Sequence, residues 1–396
     1  MKFWTTDFKE PVGIAFKTFA LSCLVAFLLY TFFVVSVDTF LNSDYLSFLT
    51  GAKMIATGDG SSLYDFSTQL SFQKDIKISY VDKVNLYPRE KFNQALPFRN
   101  LPFVALFFVP LVLLPPFVSF KIFALFNLCL LIFILWNISK DFLKKISLAM
   151  AVLASFAFLP VLTSLVRGQI TLVALFVFYM VYKNLQKKRN YWAGFLSGFL
   201  LMKVQYLFAV PFIVMRASDL REFFKGFLLV FSVLIVLSFL VTGINVFSYP
   251  GFLLLTEQAK YGSVPSEILT LFSVFGGILS SKFLALILNI IFYFSTLYLF
   301  WRSRKSFSLG ATFGVLVLAT LVFGVHMTDN EVVLMLFPLF LLLEEFYKTA
   351  WARIFFVVGL LAPFLRLTPF AFWEIAVLGL LLVVLFLRGR FGAISS

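Results

Sequence analysis

Apolar runs approaching the ~20 residues that a membrane-spanning helix needs recur from Ile14 to Leu387, interrupted by charged or Pro/Gly-containing connectors that are short but for one. A chain built this way has no polar face from which to make a water-soluble surface. With 61% hydrophobic and 13% charged residues, it departs far from the soluble averages of about 45–50% and about 25%. In lipid every backbone group must find its partner inside the protein, which leaves helices or closed barrels, and the period-2 alternation of a barrel is missing. The expected fold is therefore all-α and polytopic, with about 10–13 transmembrane or re-entrant helices. Residues 1–396 form one integral membrane domain. The exception is an extracytoplasmic loop over residues 38–100 carrying short interfacial helices, inserted after the first transmembrane helix. The first apolar run lacks a small-residue cleavage site and reads as a retained anchor. Cys23 and Cys129 both fall inside apolar runs, so no disulfide framework is implied.

The formal charge of +14 would suggest nucleic acid in a soluble protein, but its distribution argues against that. The cations cluster in connectors: Lys140, Lys144 and Lys145; Lys183, Lys187, Lys188 and Arg189; Arg216, Arg221 and Lys225; Arg302, Arg304 and Lys305; Arg388 and Arg390. Such clusters beside helix ends mark cytoplasmic loops. With them inside, parity orders the rest. Residues 14–37 exit, 101–115 form a short or re-entrant helix, 117–138 return, 146–164 exit and 168–184 return. The run 191–215, basic at both flanks, starts and finishes inside, and 25 residues cannot cross twice. It must consist of two half-helices turning near Met202-Lys203-Val204-Gln205. Residues 226–243 exit, 267–281 lie near the surface, 282–300 return, 308–325 exit, 331–347 return, and 354–367 with 370–388 make a final hairpin.

In this topology Asp44, Arg167, Gln169, Lys203, His326 and Glu331 all reach the external side or an outward-facing cavity. Ionisable residues at such depth are costly and are functional candidates by default.

The same residues carry a family resemblance. Asp44-Tyr45, Gly51-Ala52, Gly58 and Leu63-Tyr64-Asp65 resemble the acid-then-small-then-Gly-then-Tyr-Asp pattern of the polyprenol-phosphate-mannose-dependent α-1,2-mannosyltransferases, membrane glycosyltransferases of the GT-C fold. Four further pieces agree in order. They are Leu101-Pro102-Phe103 with Val109-Pro110-Leu111 and Leu114-Pro115; Gly168-Gln169-Ile170-Thr171; Leu201-Met202-Lys203-Val204-Gln205; and His326 with Glu331 and a run ending at Pro338. The chain departs from the family at Asn100-Leu101, where Tyr-Pro is usual, at Thr171, where Asn is usual, and at Val204, where Pro is usual. The resemblance implies transfer of a hexose, mannose in that family, from a polyprenyl-phosphate donor to an extracytoplasmic lipid-linked or polymeric glycan acceptor. It also implies residence in a bacterial cytoplasmic membrane, and substrate contacts from Tyr45, Gln169, Gln205, His326 and Glu331.

Chemistry gives these residues roles of its own. Transfer from a lipid phosphate needs a base for the acceptor hydroxyl and a cation for the leaving phosphate. Asp44, a carboxylate at the membrane edge, is the candidate base. A single carboxylate suits direct displacement with inversion, since retention needs a second as nucleophile. Its competing reading is a helix N-cap worth about 1 kcal/mol, and Asp38 is the rival base. Lys203 and Arg167 are the candidate phosphate cations, against snorkelling and helix-end anchoring respectively. His326, the one histidine, cannot build a zinc site alone, and no metal or cofactor is expected. The segment 66–80, with Leu70, Phe72, Ile76 and Ile78, reads as an interfacial amphipathic helix. The alternative function is a non-catalytic transporter or flippase for a lipid-linked sugar, because broken helices also occur in transporters. An oligosaccharide ligase is a third possibility. Walker, dinucleotide-binding and GxSxG motifs are absent from the sequence.

Overall fold

A computed structural model describes residues 10–84, 93–143, 146–256, 270–279, 281–367 and 373–388, and every regular element among them is helical. Lys144, Lys145, Glu90, Arg390 and the second half of the external loop expected over 244–266 lie outside the described residues. The chain is an all-α polytopic membrane protein. Helix α1 (Glu10–Leu29) loosens into a π-turn at Tyr30–Val34 and is followed by α2 (Val37–Leu41), α3 (Tyr45–Ala56) and α4 (Phe66–Ile78).

Helix α4 differs from its expected amphipathic form, because the side it buries is mostly polar. Gln69, Gln73 and Lys77 recur every fourth residue and share one face. They bind the backbone of the non-helical segment 94–98. Phe98 N donates to Gln69 Oε1 (2.8 Å), Leu96 N donates to Gln73 Oε1 (2.9 Å), and Gln73 Nε2 donates to Leu96 O (2.6 Å). Lys77 Nζ donates to Gln94 O (2.6 Å). Ile76 is buried beside them while Ile78 remains exposed. A segment with no sheet or helix of its own needs partners for its backbone, and this stripe supplies them.

Beyond that segment come α5 (Pro102–Leu106), a 3-10 turn at Val109–Leu113, and α6 (Pro116–Asp141), so 101–115 is short helical pieces as expected. The run expected to exit over residues 146–164 is not one continuous helix and extends to Arg167. Helices α7 (Leu148–Ala157) and α8 (Leu159–Arg167) meet at a 73° bend. Pro160 has no N–H to continue the ladder and its ring excludes the carbonyl of the preceding turn, so Phe158 is extended. Helix α9 (Thr171–Gln186) then leads to α10 (Asn190–Gly198).

The segment after α10 is broken where the sequence expects it. A 3-10 turn at Phe199–Met202 ends at Lys203, which is extended at φ −134° and ψ 115°. A second turn (Val204–Ala209) and α11 (Val210–Val214) bring the chain back. Asn190, at the head of α10, bonds Ser218 beyond α11, with Ser218 N to Oδ1 at 3.1 Å and Nδ2 to Ser218 Oγ at 2.9 Å. The excursion begins and ends at one place, as a re-entrant hairpin must.

Helix α12 (Leu220–Thr242) packs along α10 with small residues at the contact. A Cβ on Gly194 would strike the Phe223 carbonyl, and one on Gly226 the Tyr191 carbonyl. Backbone cannot move aside as a side chain does, so Gly226→Val should destabilise the protein by at least about 1–3 kcal/mol. Thermal unfolding in detergent checks this; an unchanged midpoint would rule out the close approach.

Helices α13 (Tyr249–Thr256), α14 (Leu271–Leu279) and α15 (Lys282–Ser303) precede the most enclosed element, α16 (Leu309–Phe323), which is buried all round from Gly310 to Phe323. It packs on α17 (Leu336–Glu345), on α19 (Trp373–Arg388) and on the returning half of the re-entrant segment, while α18 (Ala350–Leu361) lies against α17. By contrast α6, α12 and α15 expose Phe and Leu outward and, on length and composition, are long enough to cross a bilayer; α7 with α8 makes a fourth if the bent pair counts as one span.

Candidate active site

Four separate pieces of chain converge near Asp44: the α2–α3 junction, the α8–α9 turn, the break at Lys203, and the segment before α17. The 3-10 turn Asp329–Met335 packs on both α8 and α9, which joins the second and fourth pieces. Asp44 stands at the N-cap position of α3 with φ −65° and ψ −21°, and its side chain makes no capping bond. The cap that competed with its catalytic reading is therefore not formed. Nor does the carboxylate form an ion pair with any described residue.

What faces Asp44 is a set of charges and one amide. Burial raises its pKa above the ordinary carboxylate range, and Glu331 adds to the rise; Arg167, then Gln169, then Lys203 oppose it. Asp38 sits on α2 outside this group.

The α8–α9 turn depends on Gly168. Its φ of +62° and ψ of 46° lie in the left-handed region, and a Cβ there would come within 2.8 Å of Tyr45 Cβ. That contact presses the turn onto the Asp44-Tyr45 pair. Gln169 is fixed on both main-chain sides, its N–H donating to Ser164 O (3.0 Å) and its carbonyl accepting from Asn127 Nδ2 (3.0 Å). Arg167, whose side chain is 39% exposed, pairs with Asp329 at 3.4 Å.

Lys203 has an anionic partner within the protein. Its Nζ makes an ion pair with Glu331 Oε1 and donates to Gln169 Oε1 at 3.2 Å. Glu331 also closes a capping box, since its Oε2 accepts from the Thr328 N–H and hydroxyl, each at 2.6 Å. The Thr-x-x-Glu spacing was present in the sequence as a signal for that cap. Close by, Asn330 Oδ1 is buried with no hydrogen-bond partner among the described residues, and Tyr206 lies beside Thr171 and Glu331.

Two expected substrate contacts are engaged elsewhere. Tyr45 is fully buried, its ring packed among Phe108, Phe120 and Phe123 and its hydroxyl bonded to Ser119. It is a core residue in this structure, because its ring and its hydroxyl are both taken up by the protein's own packing. Gln205 Nε2 donates to the His326 carbonyl (2.9 Å) and so holds the loop before Thr328. In the Tyr64-Asp65 motif, Tyr64 OH donates to Asn100 O (3.0 Å), and Asp65 caps α4 through Ser67 N (3.1 Å).

Arg99 was not singled out from sequence, yet it reaches His326, with Nη1 3.2 Å from Nε2. Arginine only donates, so Nε2 is the acceptor in this contact. Arg99 also donates to Thr256, at 3.1 Å to Oγ1 and to the carbonyl, and its own carbonyl accepts from Tyr249 OH (3.1 Å). The one available signal was its position next to the Asn100-Leu101-Pro102 motif. Among the described residues no three His, Cys, Asp or Glu side chains gather as a metal site.

Chemically, this is a partly buried carboxylate with a cation and an amide at its side. Among known proteins, the family model described as glycosyltransferase family 87 matches residues 98–324. No curated protein and no solved structure matches the chain.

Proposed function

The chain belongs to glycosyltransferase family 87, whose model covers more than half of it, and on that premise we propose that it moves a hexose, mannose by its motifs, from a polyprenyl-phosphate donor to an extracytoplasmic glycan with inversion. The observation that carries this reading is Asp44: a carboxylate whose pKa burial raises, and which forms neither a cap nor, among the described residues, an ion pair.

In the proposed reaction the acceptor hydroxyl loses its proton to Asp44 as its oxygen attacks the anomeric carbon. The bond from that carbon to the phosphate oxygen breaks on the opposite face, and the electron pair leaves with polyprenyl phosphate. Of the two expected phosphate cations, Arg167 fits the role better than Lys203. Arg167 is the more accessible, and its charge acts on Asp44 more strongly than that of Lys203. Gln169 stands beside Asp44, and a β-linked donor would give an α-linked product. A donor that is itself a lipid suits a site built into a membrane protein.

Proteoliposomes given radiolabelled polyprenyl-phosphate mannose and a membrane glycolipid extract are expected to form a glycolipid that α-mannosidase cleaves. Radiolabelled nucleotide sugar in its place should yield nothing. Movement of the labelled lipid between leaflets with no glycosidic product would replace this reading with the transporter one.

A further inference from the structure

We propose that Thr328, Glu331, Lys203 and Gln169 form a directional hydrogen-bond relay that fixes which end of the Gln169 amide faces Asp44, so that Lys203 is a positioning residue. The inference rests on Asp44 being the base, and it gives Lys203 and Glu331 work other than binding substrate.

Donor and acceptor chemistry sets every step. Glu331 Oε2 is filled by the N–H and hydroxyl of Thr328, leaving Oε1 for Lys203. An ammonium has donors only, so the Gln169 atom that Lys203 meets at 3.2 Å has to be the oxygen. The Nε2 end is then the one left for Asp44, beside which Gln169 stands as a hydrogen-bonding group, and an ionised carboxylate can only accept. The Gln169 backbone is anchored by Ser164 and Asn127, so the side chain cannot escape by moving the turn. Were the amide reversed, its oxygen would oppose the carboxylate, and the base would lose a hydrogen bond and gain a repulsion.

The charged groups facing Asp44 are Arg167, which is paired with Asp329, together with Lys203 and Glu331. Lys203 and Glu331 act on it in opposite senses. Removing both therefore tests the amide's orientation with little change in net charge.

The test follows the Asp44 carboxyl stretch by infrared spectroscopy across pH, with Asp44→Asn as the subtraction reference. It compares wild type with Gln169→Leu and with the double variant Lys203→Met/Glu331→Gln. Glutamine keeps the capping box closed, and the double variant leaves no lone buried charge. The relay predicts that the Asp44 midpoint rises by about one pH unit in both, the scale of a lost hydrogen bond to a carboxylate. An unmoved midpoint in Gln169→Leu overturns the proposal, and so does a midpoint unmoved in the double variant alone. This readout needs no substrate, so the two readings separate. If the midpoints shift but transfer survives Asp44→Asn, the relay stands and the catalytic assignment of Asp44 falls.

Discussion

Replacing Asp44 with Asn is expected to lower sugar transfer by about 10² to 10⁴-fold, the usual contribution of a general base, while donor binding persists. The wild-type pH–rate profile should carry an acid limb above the ordinary carboxylate range, because burial raises the Asp44 pKa. The base works when ionised, so activity falls as pH drops through that raised value. Linkage gives a second signature. A group whose folded pKa lies above its unfolded one supplies stability that is complete below the unfolded pKa and lost as pH rises through the folded pKa. Ionised Asp44 is therefore a cost to the fold at neutral pH, and Asn, which carries no charge to desolvate, should leave thermal stability equal or higher. Loss of activity together with loss of stability would instead mark Asp44 as structural. Donor binding by filtration, transfer rate and unfolding midpoint on one preparation decide between the two.

The all-helical membrane fold is the part of this protein most legible in its sequence. The requirement to satisfy backbone in lipid makes the apolar runs helices, and the basic connectors fix where a run must return. The re-entrant break at Lys203 follows from those two facts, and the Asn190–Ser218 contact meets it. What the sequence did not disclose is which polar residues bind the protein to itself. Gln69, Gln73 and Lys77 repeat at helical spacing, yet nothing local says that a non-helical segment about 20 residues on will need their hydrogen bonds. Tyr45 and Asp44 are neighbours in one motif, but adjacent side chains at the start of a helix point about 100° apart, so one faces the charges and the other the core. Arg99 was hidden for the same reason: its partners Thr256 and His326 are more than 150 residues away. Motifs place polar residues along the chain; only the fold shows which of them bind the protein to itself.

The second large effect concerns Lys203 and Glu331, which are 10% and 2% exposed. Lys203→Met alone leaves the Glu331 carboxylate buried without its cation, and breaking a buried pair this way costs about 3–5 kcal/mol. That is a large share of the about 5–15 kcal/mol by which folded proteins are usually stable, so the single variant should lose most folded material on gel filtration in detergent. The double variant Lys203→Met/Glu331→Gln removes both charges and should recover most of the loss, since replacing a buried pair by neutral groups is often close to neutral. Recovery of folding without recovery of full transfer would mean that the pair is kept for what it does to Gln169 and Asp44. Had Lys203 stood here chiefly to hold a phosphate, the single variant would fold as wild type and lose only its donor affinity. A pair joined to a capping box on one side and to the amide of the base on the other predicts the opposite order: stability lost first, then regained, with the reaction still slow.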